Sequence, residues 1–254
     1  MNECDVAVRL AILSDIHGNL VALKTVLSDL QRRKVEQVLC LGDVAATGPQ
    51  PCEVIELLQP MNWPCVMGNT DEKLADNIPD KLEAEQMSEE DKRRMLELDA
   101  WTRKRLRKSH RSFLSTFRPT IKYTAKNGPS FLCYHGSPRS NREGILATTP
   151  DDKLAEYLEG FEGDIFAGGH THTQMFRRFR RSIVLNPGSV GLPFQEDSSG
   201  RTRNPTHAEY ALMGSSGKSF SSELLSVPYS KADLEEAIRN SGLPNVDWWL
   251  SDWY

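Results

Sequence analysis

The sequence has few of the features that mark secreted, membrane-spanning or nucleic-acid-coating proteins. Its five cysteines form no CxxC pair, so they predict reduced thiols rather than a disulfide framework or a zinc site. No apolar run approaches the ~18 residues that span a bilayer. The first residues lack the basic and apolar regions of a signal peptide, and the net charge of -4 gives no general attraction to nucleic acid. We therefore expect a cytoplasmic protein with no membrane association.

The remaining composition is that of a soluble globular protein. Hydrophobic residues make up 39% of the 254 residues and charged residues 26%. The first third reads as strand, helix, strand, helix, strand. Strands are predicted at 6–13, 38–43 and 65–69, Asn19 is predicted to cap a helix, and Pro51 to begin another over 51–59. This alternation is typical of α/β folds.

A charged, helix-prone segment over about 79–117 interrupts this pattern. Ser88 and Ser109 are predicted to cap its two helices. The segment is too short to bury much surface alone, so it is interpreted as a helical insertion. Later strands are predicted at 130–134, 164–169, 174–179 and 182–186, followed by a hairpin over 209–213 and 219–227 and a helix over 231–242. Two sets of strands predict two packed sheets.

Polar residues follow the apolar runs in five blocks. The blocks are SDIHGN, LGD, GN, YHGS and GGHTH, and their polar members are Asp15, His17, Asp43, Asn69, His135, His170 and His172. In extended backbone, Asp-x-His and His-x-His would point both side chains the same way. Carboxylates, imidazoles and an amide oxygen suit divalent Mn, Fe, Ni or Zn. Alone, each block has a simpler interpretation as a turn, a helix cap or a strand end.

Together, the blocks resemble those of the calcineurin-like metallophosphoesterase superfamily. The similarity is greatest to its small bacterial and archaeal branch, which includes diadenosine-tetraphosphatase-like proteins. It extends over nearly the whole chain and includes SDIHGNLVAL, LGDVAATGPQPCEVIELL, MGNTD, WTRKRL, CYHGSPR, GGHTHTQM and LNPGSVGLP.

The resemblance implies a four-layer α/β/β/α sandwich that forms one domain over 1–254, with the helical insertion at 79–117. It also implies two divalent metal ions, with manganese favoured and Fe, Ni or Zn as alternatives. The first ion would be bound by Asp15, His17 and His172. The second would be bound by Asn69, His135 and His170, and Asp43 would bridge the two.

The implied reaction is hydrolysis of a phosphomonoester, phosphodiester or phosphoanhydride by a metal-bound hydroxide. The expected substrate is small and phosphorylated or nucleotide-like. The residues expected to act in catalysis are Asp43, Asn69, His135 and Arg139. Arg139 would grip a phosphate oxygen through its guanidinium, although a solvent-facing loop arginine is an equal alternative.

Two other functions stay open on the sequence. One is a protein-binding scaffold, as in retromer-subunit-like relatives, and the other is a nuclease, suggested only by the basic residues of the insertion. Two positions depart from the family pattern: Thr70 stands where many relatives have His, and Thr47 where branch members often have Tyr. Thr70 therefore lacks a group that protonates the leaving oxygen, and Thr47 lacks an aromatic ring for stacking on a nucleotide base.

Overall fold

Two mixed β-sheets lie at the centre of the structure, a computed structural model that describes residues 8–79, 87–125, 128–196, 198, 201–216 and 219–254. The strands are β1 Val8–Leu13, β2 Gln37–Cys40, β3 Ile121–Thr124, β4 Ser130–Cys133, β5 Ile165–Ala167, β6 Met175–Phe179, β7 Ser182–Asn186, β8 Gln195–Glu196, β9 Thr202–Arg203, β10 His207–Ser216 and β11 Ser219–Pro228. The first sheet has the order β11-β10-β1-β2 and the second β3-β4-β5-β7-β6. Strands β8 and β9 form a separate small ribbon.

Helices cover the outer faces of both sheets. The helices of the described residues are α1 Leu20–Arg32, α2 Pro51–Leu58, α3 Asn69–Asp76, α4 Glu89–Arg105, α5 Lys108–Leu114, α6 Asp151–Tyr157, α7 Lys231–Ser241 and α8 Val246–Leu250, with a 3₁₀ turn at Gln59–Met61. The predicted cap of α1 is confirmed, because the Asn19 side chain accepts from the Ala22 amide at 3.0 Å. Pro51 is the first residue of α2, where its missing amide hydrogen costs nothing.

The alternation of side chains along β1 separates two hydrophobic cores. Leu10 and Ile12 point between the two sheets, whereas Ala11 and Leu13 pack against the helices outside the first sheet. A third core lies outside the second sheet, where Leu154 of α6 packs against it. Three cores between four layers confirm the predicted α/β/β/α sandwich.

The segment 79–117 contains the two helices α4 and α5, and residues 80–86 of this segment lie outside the described residues. Ser88 caps α4 as predicted, accepting from the Asp91 amide at 3.1 Å. The prediction of Ser109 as a cap is wrong, because α5 begins at Lys108 with Arg107 at the N-cap. There the Arg107 amide donates to the Nδ1 atom of His110 at 3.3 Å. The sequence pattern did not predict this local contact.

The insertion is attached at both of its helices. Leu98 of α4 shares a buried cluster with Leu234 of α7 and Trp249 of α8. In α5, the Arg111 guanidinium donates to the carbonyl of Leu74 at the end of α3, at 2.7 Å. The chain following β11 therefore helps to hold α4 in place.

The prediction of a strand over 65–69 is wrong for its second half. Cys65 and Val66 form only isolated bridges, with Cys40 and Arg118, and Asn69 is already the first residue of α3. Gly68 at the N-cap and Asp71 in the first turn favour this early helix start. No helix in the described residues is long and apolar enough to cross a membrane.

Candidate metal centre

The candidate site lies where parallel strands of both sheets end. Strands β1 and β2 are parallel, as are β4, β5 and β7. The carboxyl ends of parallel strands meet at one edge of a sheet, which is where α/β folds place ligands. Asp15 and His17 follow β1, Asp43 follows β2, His135 follows β4, and His170 and His172 follow β5.

Five of the predicted ligand residues have a left-handed backbone. The φ angles are 55° at Asp15, 48° at His17, 54° at Asp43, 69° at His170 and 55° at His172. Each such conformation costs about 1–3 kcal/mol in residues other than glycine and is concentrated at functional sites. The assumption of extended backbone in Asp-x-His and His-x-His is therefore wrong. Tight left-handed turns direct these side chains inward instead.

Backbone carbonyls fix the orientation of three imidazoles. His17 Nδ1 lies 3.1 Å from the carbonyl oxygen of Ala46. His135 Nδ1 lies 2.8 Å from that of Leu41, and His172 Nδ1 lies 2.6 Å from that of Leu192. A carbonyl oxygen only accepts, so each Nδ1 carries the hydrogen. Each Nε2 then points into the site, where its deprotonated form offers a lone pair, the arrangement found around bound metals.

Each of the two aspartates uses one oxygen for anchoring and presents the other to the imidazoles. Asp15 Oδ2 accepts from the His170 amide at 3.0 Å, and Asp43 Oδ1 accepts from the Thr70 amide at 3.0 Å. Asp15 Oδ1 lies 3.2 Å from His172 Nε2. Asp43 Oδ2 lies 3.4 Å from His135 Nε2 and 3.9 Å from His17 Nε2.

The ligand atoms form two overlapping groups. Asp15, His17 and His172 make up the first group, and Asp15, Asp43 and His135 the second, with all atoms of a group within 4.8 Å. Asp15 belongs to both groups. Asp43 lies within 4 Å of an imidazole nitrogen from each group.

Asn69 and His170 lie beside the second group. The Oδ1 atom of Asn69 is 3.1 Å from His135 Nε2. The His170 ring centre is 5.1 Å from that of His135, at an angle of 63°. All seven predicted metal ligands are thus collected at one place, from residues up to 157 positions apart.

The charges of the site reinforce one another. Burial alone would raise the pKa of Asp15, but the imidazoles of His172 and His17 hold it well below its usual range. Burial alone would lower the pKa of His135, but the carboxylates of Asp43 and Asp15 raise it to about 10. The pKa of His170 is lowered by burial and by the nearby His135. The centre therefore favours cations.

A resident cation is consistent with two further observations in this structure. Asp15 Oδ1 is buried and has no hydrogen-bond partner among the described residues. The Nε2 atoms of His17 and His172 lie 3.1 Å apart. Unpaired buried oxygens and facing nitrogen lone pairs are unfavourable unless a proton or a metal ion lies between them. The residues present fit divalent transition metals.

The sequence interpretation did not identify Asp71 as a support for the site. This fully buried carboxylate accepts from the backbone amides of Asp43 at 2.6 Å, Val44 at 3.0 Å and Gly68 at 3.3 Å. Burial and the Asp43 carboxylate raise its pKa to about 7. The signal in the sequence was its place three residues after Gly68, where an acidic residue fits the first turn of a helix.

Arg139 lies near the loop that carries His135 but is occupied by other partners. Its guanidinium pairs with Glu143 at 2.8 Å and Glu156 at 3.0 Å, and it lies over the ring of Tyr157 at 4.8 Å. A grip on phosphate would require it to leave both carboxylates.

The structure also shows the surroundings of the two residues that depart from the family pattern. Thr70 presents a buried Oγ1 atom with no partner among the described residues. The Thr47 carbonyl accepts from the indole of Trp249 at 2.9 Å. His207 lies at the start of β10, and its Nε2 atom is 3.4 Å from Glu209.

Comparison with known proteins agrees with this geometry. The model of the calcineurin-like phosphoesterase superfamily domain matches residues 8–203. An uncharacterized protein of Methanocaldococcus jannaschii is 27% identical over 252 residues, which cover 96% of each chain. The crystal structure of a metallophosphoesterase from Sphaerobacter thermophilus is 25% identical, with a TM-score of 0.73 over 97% of this chain and 99% of that one. A hypothetical protein of Pyrococcus horikoshii shares the fold at 20% identity, with a TM-score of 0.74 over 94% and 95%.

Proposed function

The chain belongs to the calcineurin-like phosphoesterase superfamily, and on that premise we propose that it hydrolyses phosphoesters or phosphoanhydrides with two bound divalent metals. One observation carries the proposal. Three imidazoles, each held through Nδ1 by a backbone carbonyl, aim Nε2 at two buried aspartates. A scaffold without metal would gain nothing from this arrangement, which places strained backbone and buried charge together.

The first proposed ligand set is the first group: Asp15, His17 and His172 would hold one ion. Asn69, His135 and His170 would hold the second ion, since Asn69 and His170 lie beside His135 of the second group. Asp43 is proposed as the bridge, since its Oδ2 atom lies 3.9 Å from His17 Nε2 and 3.4 Å from His135 Nε2. When bound, such ions supply an activated water and neutralise charge on the phosphoryl group.

The protein residues orient and stabilise this centre. Backbone amides of His170 and Thr70 fix the two carboxylates, and Asp71 fixes the turn that carries Asp43. These hydrogen bonds thus keep the ligands in place before substrate arrives, which lowers the cost of reorganisation during the reaction.

Manganese is the proposed ion, with Fe, Ni or Zn as alternatives, because the donor set of nitrogen and oxygen atoms suits all four. The proposed substrate is a small phosphorylated or nucleotide-like molecule. The nuclease alternative is less favoured, because it was suggested only by the basic residues of the insertion. Basic residues of the insertion pair with acidic neighbours: Arg93 with Glu97, Arg94 with Asp91, Arg103 with Asp99, and Arg107 with Glu56.

The test is a hydrolysis assay on protein reconstituted separately with each metal. Nitrophenyl phosphate represents the phosphomonoesters, bis-nitrophenyl phosphate the phosphodiesters and a dinucleoside polyphosphate the phosphoanhydrides. Asp43→Asn should lower kcat by about 10²–10³-fold or more, the cost of losing one group that stabilises developing charge. Asp164→Asn is the matched control, because Asp164 is an exposed aspartate that binds Ser130 at the opposite end of β5.

Two results would contradict the proposal. One is hydrolysis by Asp43→Asn at the wild-type rate. The other is a metal-loaded wild-type protein that cleaves none of the three substrate classes, which would favour the scaffold function.

A further inference from the structure

Phe194 places an exposed aromatic ring against a predicted metal ligand. Its ring centre lies 4.4 Å from that of His172, with an interplanar angle of 23°. The side chain is nevertheless 42% exposed. One face of the ring therefore covers the imidazole, while a large part of its surface stays open to solvent.

The backbone near Phe194 is tied to the metal centre. Ser189 Oγ donates to the carbonyl of Asp15 at 2.7 Å and accepts from the Leu192 amide at 2.8 Å. The Leu192 carbonyl in turn holds His172 Nδ1 at 2.6 Å. The segment that orients the ligand thus also delivers the aromatic ring two residues later, so the ring is held in place before anything binds.

The contacts of His172 relate the Phe194 ring to the candidate centre. The His172 ring contacts that of His17, at a centroid distance of 4.8 Å and an angle of 46°, as well as that of Phe194. Because His17 and His172 both belong to the first ligand group, the exposed Phe194 ring lies next to that group. A substituent on a phosphoryl group held there would pass beside this ring.

We propose that Phe194 forms a subsite for an aromatic ring of the substrate, next to the phosphoryl group; this rests on the proposed function. Aromatic rings attract each other in offset-stacked or edge-on geometry at centroid distances of about 4.5–7 Å. The open surface of Phe194 offers this contact, which an alkyl group would use less well. The preferred substrate class is therefore aryl or nucleobase-bearing phosphates rather than simple alkyl phosphates.

The test measures binding without turnover. Dissociation constants of phenylphosphonate and methylphosphonate, neither of which has a hydrolysable ester bond, are measured by calorimetry on metal-loaded protein, and metal content is recorded for every variant. The wild-type protein should prefer the phenyl compound by about 2- to 12-fold, the factor that corresponds to one aromatic pair. Phe194→Leu should abolish this preference, and Phe194→Tyr should retain it.

Phe220→Leu is the matched control. Phe220 is 45% exposed on β11 and pairs with Ser215, at the end of the first sheet remote from the centre. This variant should keep the wild-type preference.

Three outcomes would overturn the inference. An unchanged preference in Phe194→Leu would remove the ring subsite and leave the proposed function intact. Equal weakening of both phosphonates, together with lost metal, would mean that Phe194 only supports His172. Binding of neither compound by the metal-loaded wild-type protein would overturn the subsite and the proposed phosphate centre together.

Discussion

The Nε2 atoms of His17 and His172 face each other at 3.1 Å, although the two residues are 155 positions apart. Both rings donate through Nδ1 to backbone carbonyls, so in their neutral forms neither can donate to the other. Two facing lone pairs repel unless a proton or a metal ion lies between them. This pair is therefore the most direct sign of a cation site in the fold.

The assignment of histidines to different ions predicts separate losses of metal. His172→Ala should lose about one of two bound ions per chain, and His135→Ala should lose the other, because each removes a direct ligand. Metal content after dialysis, measured by mass spectrometry, checks this. His207→Ala should keep both ions, since His207 pairs with Glu209 outside the ligand groups. Full metal content in both ligand variants would refute the assignment.

Metal binding should release protons. Without metal, the carboxylates of Asp43 and Asp15 raise the pKa of His135 to about 10 despite burial, so this imidazole is protonated at neutral pH. A metal ligand must be deprotonated. Metal affinity should therefore rise as pH increases from about 6 to 9, with roughly one proton or more released per chain at pH 7. Calorimetry in buffers of different ionisation enthalpy measures this, and a pH-independent affinity would contradict it.

Gly68→Ala should weaken metal binding through Asp43. A β-carbon at this position would lie 2.0 Å from Asp43 Oδ1 and 2.4 Å from its amide nitrogen, so the carboxylate would have to move. Displacing a group that orients a ligand typically lowers metal affinity about 10–100-fold. Gly163→Ala serves as the control, because its nearest contact would be 3.3 Å away and it precedes β5 at the end remote from the site. Equal affinities in the two variants would show that the Asp43 contact has no influence.

Tyr210→Phe should destabilise the fold, whereas Tyr134→Phe should not. The buried Tyr210 hydroxyl donates to Asp29 Oδ2 at 2.6 Å, and a hydrogen bond to a charged group contributes about 1.5–3 kcal/mol. The buried Tyr134 hydroxyl has no partner among the described residues, so its removal should change the free energy of unfolding by less than ~0.5 kcal/mol. Urea unfolding measures both. Similar losses would mean that the Asp29 contact is not stabilising.

The pH dependence of this contact has a definite sign. Burial would raise the pKa of Asp29, but hydrogen bonds from Tyr210 and Arg32 lower it overall. A carboxyl with a lowered folded-state pKa stabilises the protein above its unfolded value of about 3.9 and loses this effect as pH falls. The difference between wild type and Tyr210→Phe should therefore shrink below about pH 4. A difference that grows in acid would contradict this.

The threonine at position 70 predicts that the rate of hydrolysis depends strongly on the pKa of the leaving group. Its hydroxyl does not titrate near neutral pH, so a plot of log kcat against leaving-group pKa should be steep for the wild-type protein. Thr70→His should flatten the plot and raise the rate with poor leaving groups by up to about 10²–10⁴-fold, the range of general acid catalysis. Thr70→Asn, which adds a side chain without an acid, should leave it steep. A shallow wild-type plot would mean that another acid already acts.

The candidate ligand residues could be predicted from the sequence, and the layers of the fold could be predicted from its resemblance to a known family. The apolar run over 6–13 predicted β1, and the structure shows that the two faces of this strand pack in two different cores. The spacing of Asp15, His17, Asp43, Asn69, His135, His170 and His172 behind apolar runs was sufficient to predict one site, because strand ends converge in this class of fold. These are local patterns, and local patterns are visible in a sequence.

What the tertiary structure decided depends on contacts between distant segments. The left-handed turns at Asp15 and Asp43 persist because backbone bonds between their loops hold them, such as Asp15 N to Gly42 O at 3.0 Å. Asn69 joined a helix rather than a strand, and Arg139 was paired by Glu156. The stack of Phe194 on His172 joins segments that sequence periodicity does not relate. Such contacts are set by packing and by the satisfaction of buried polar groups, and these exist only once the chain has folded.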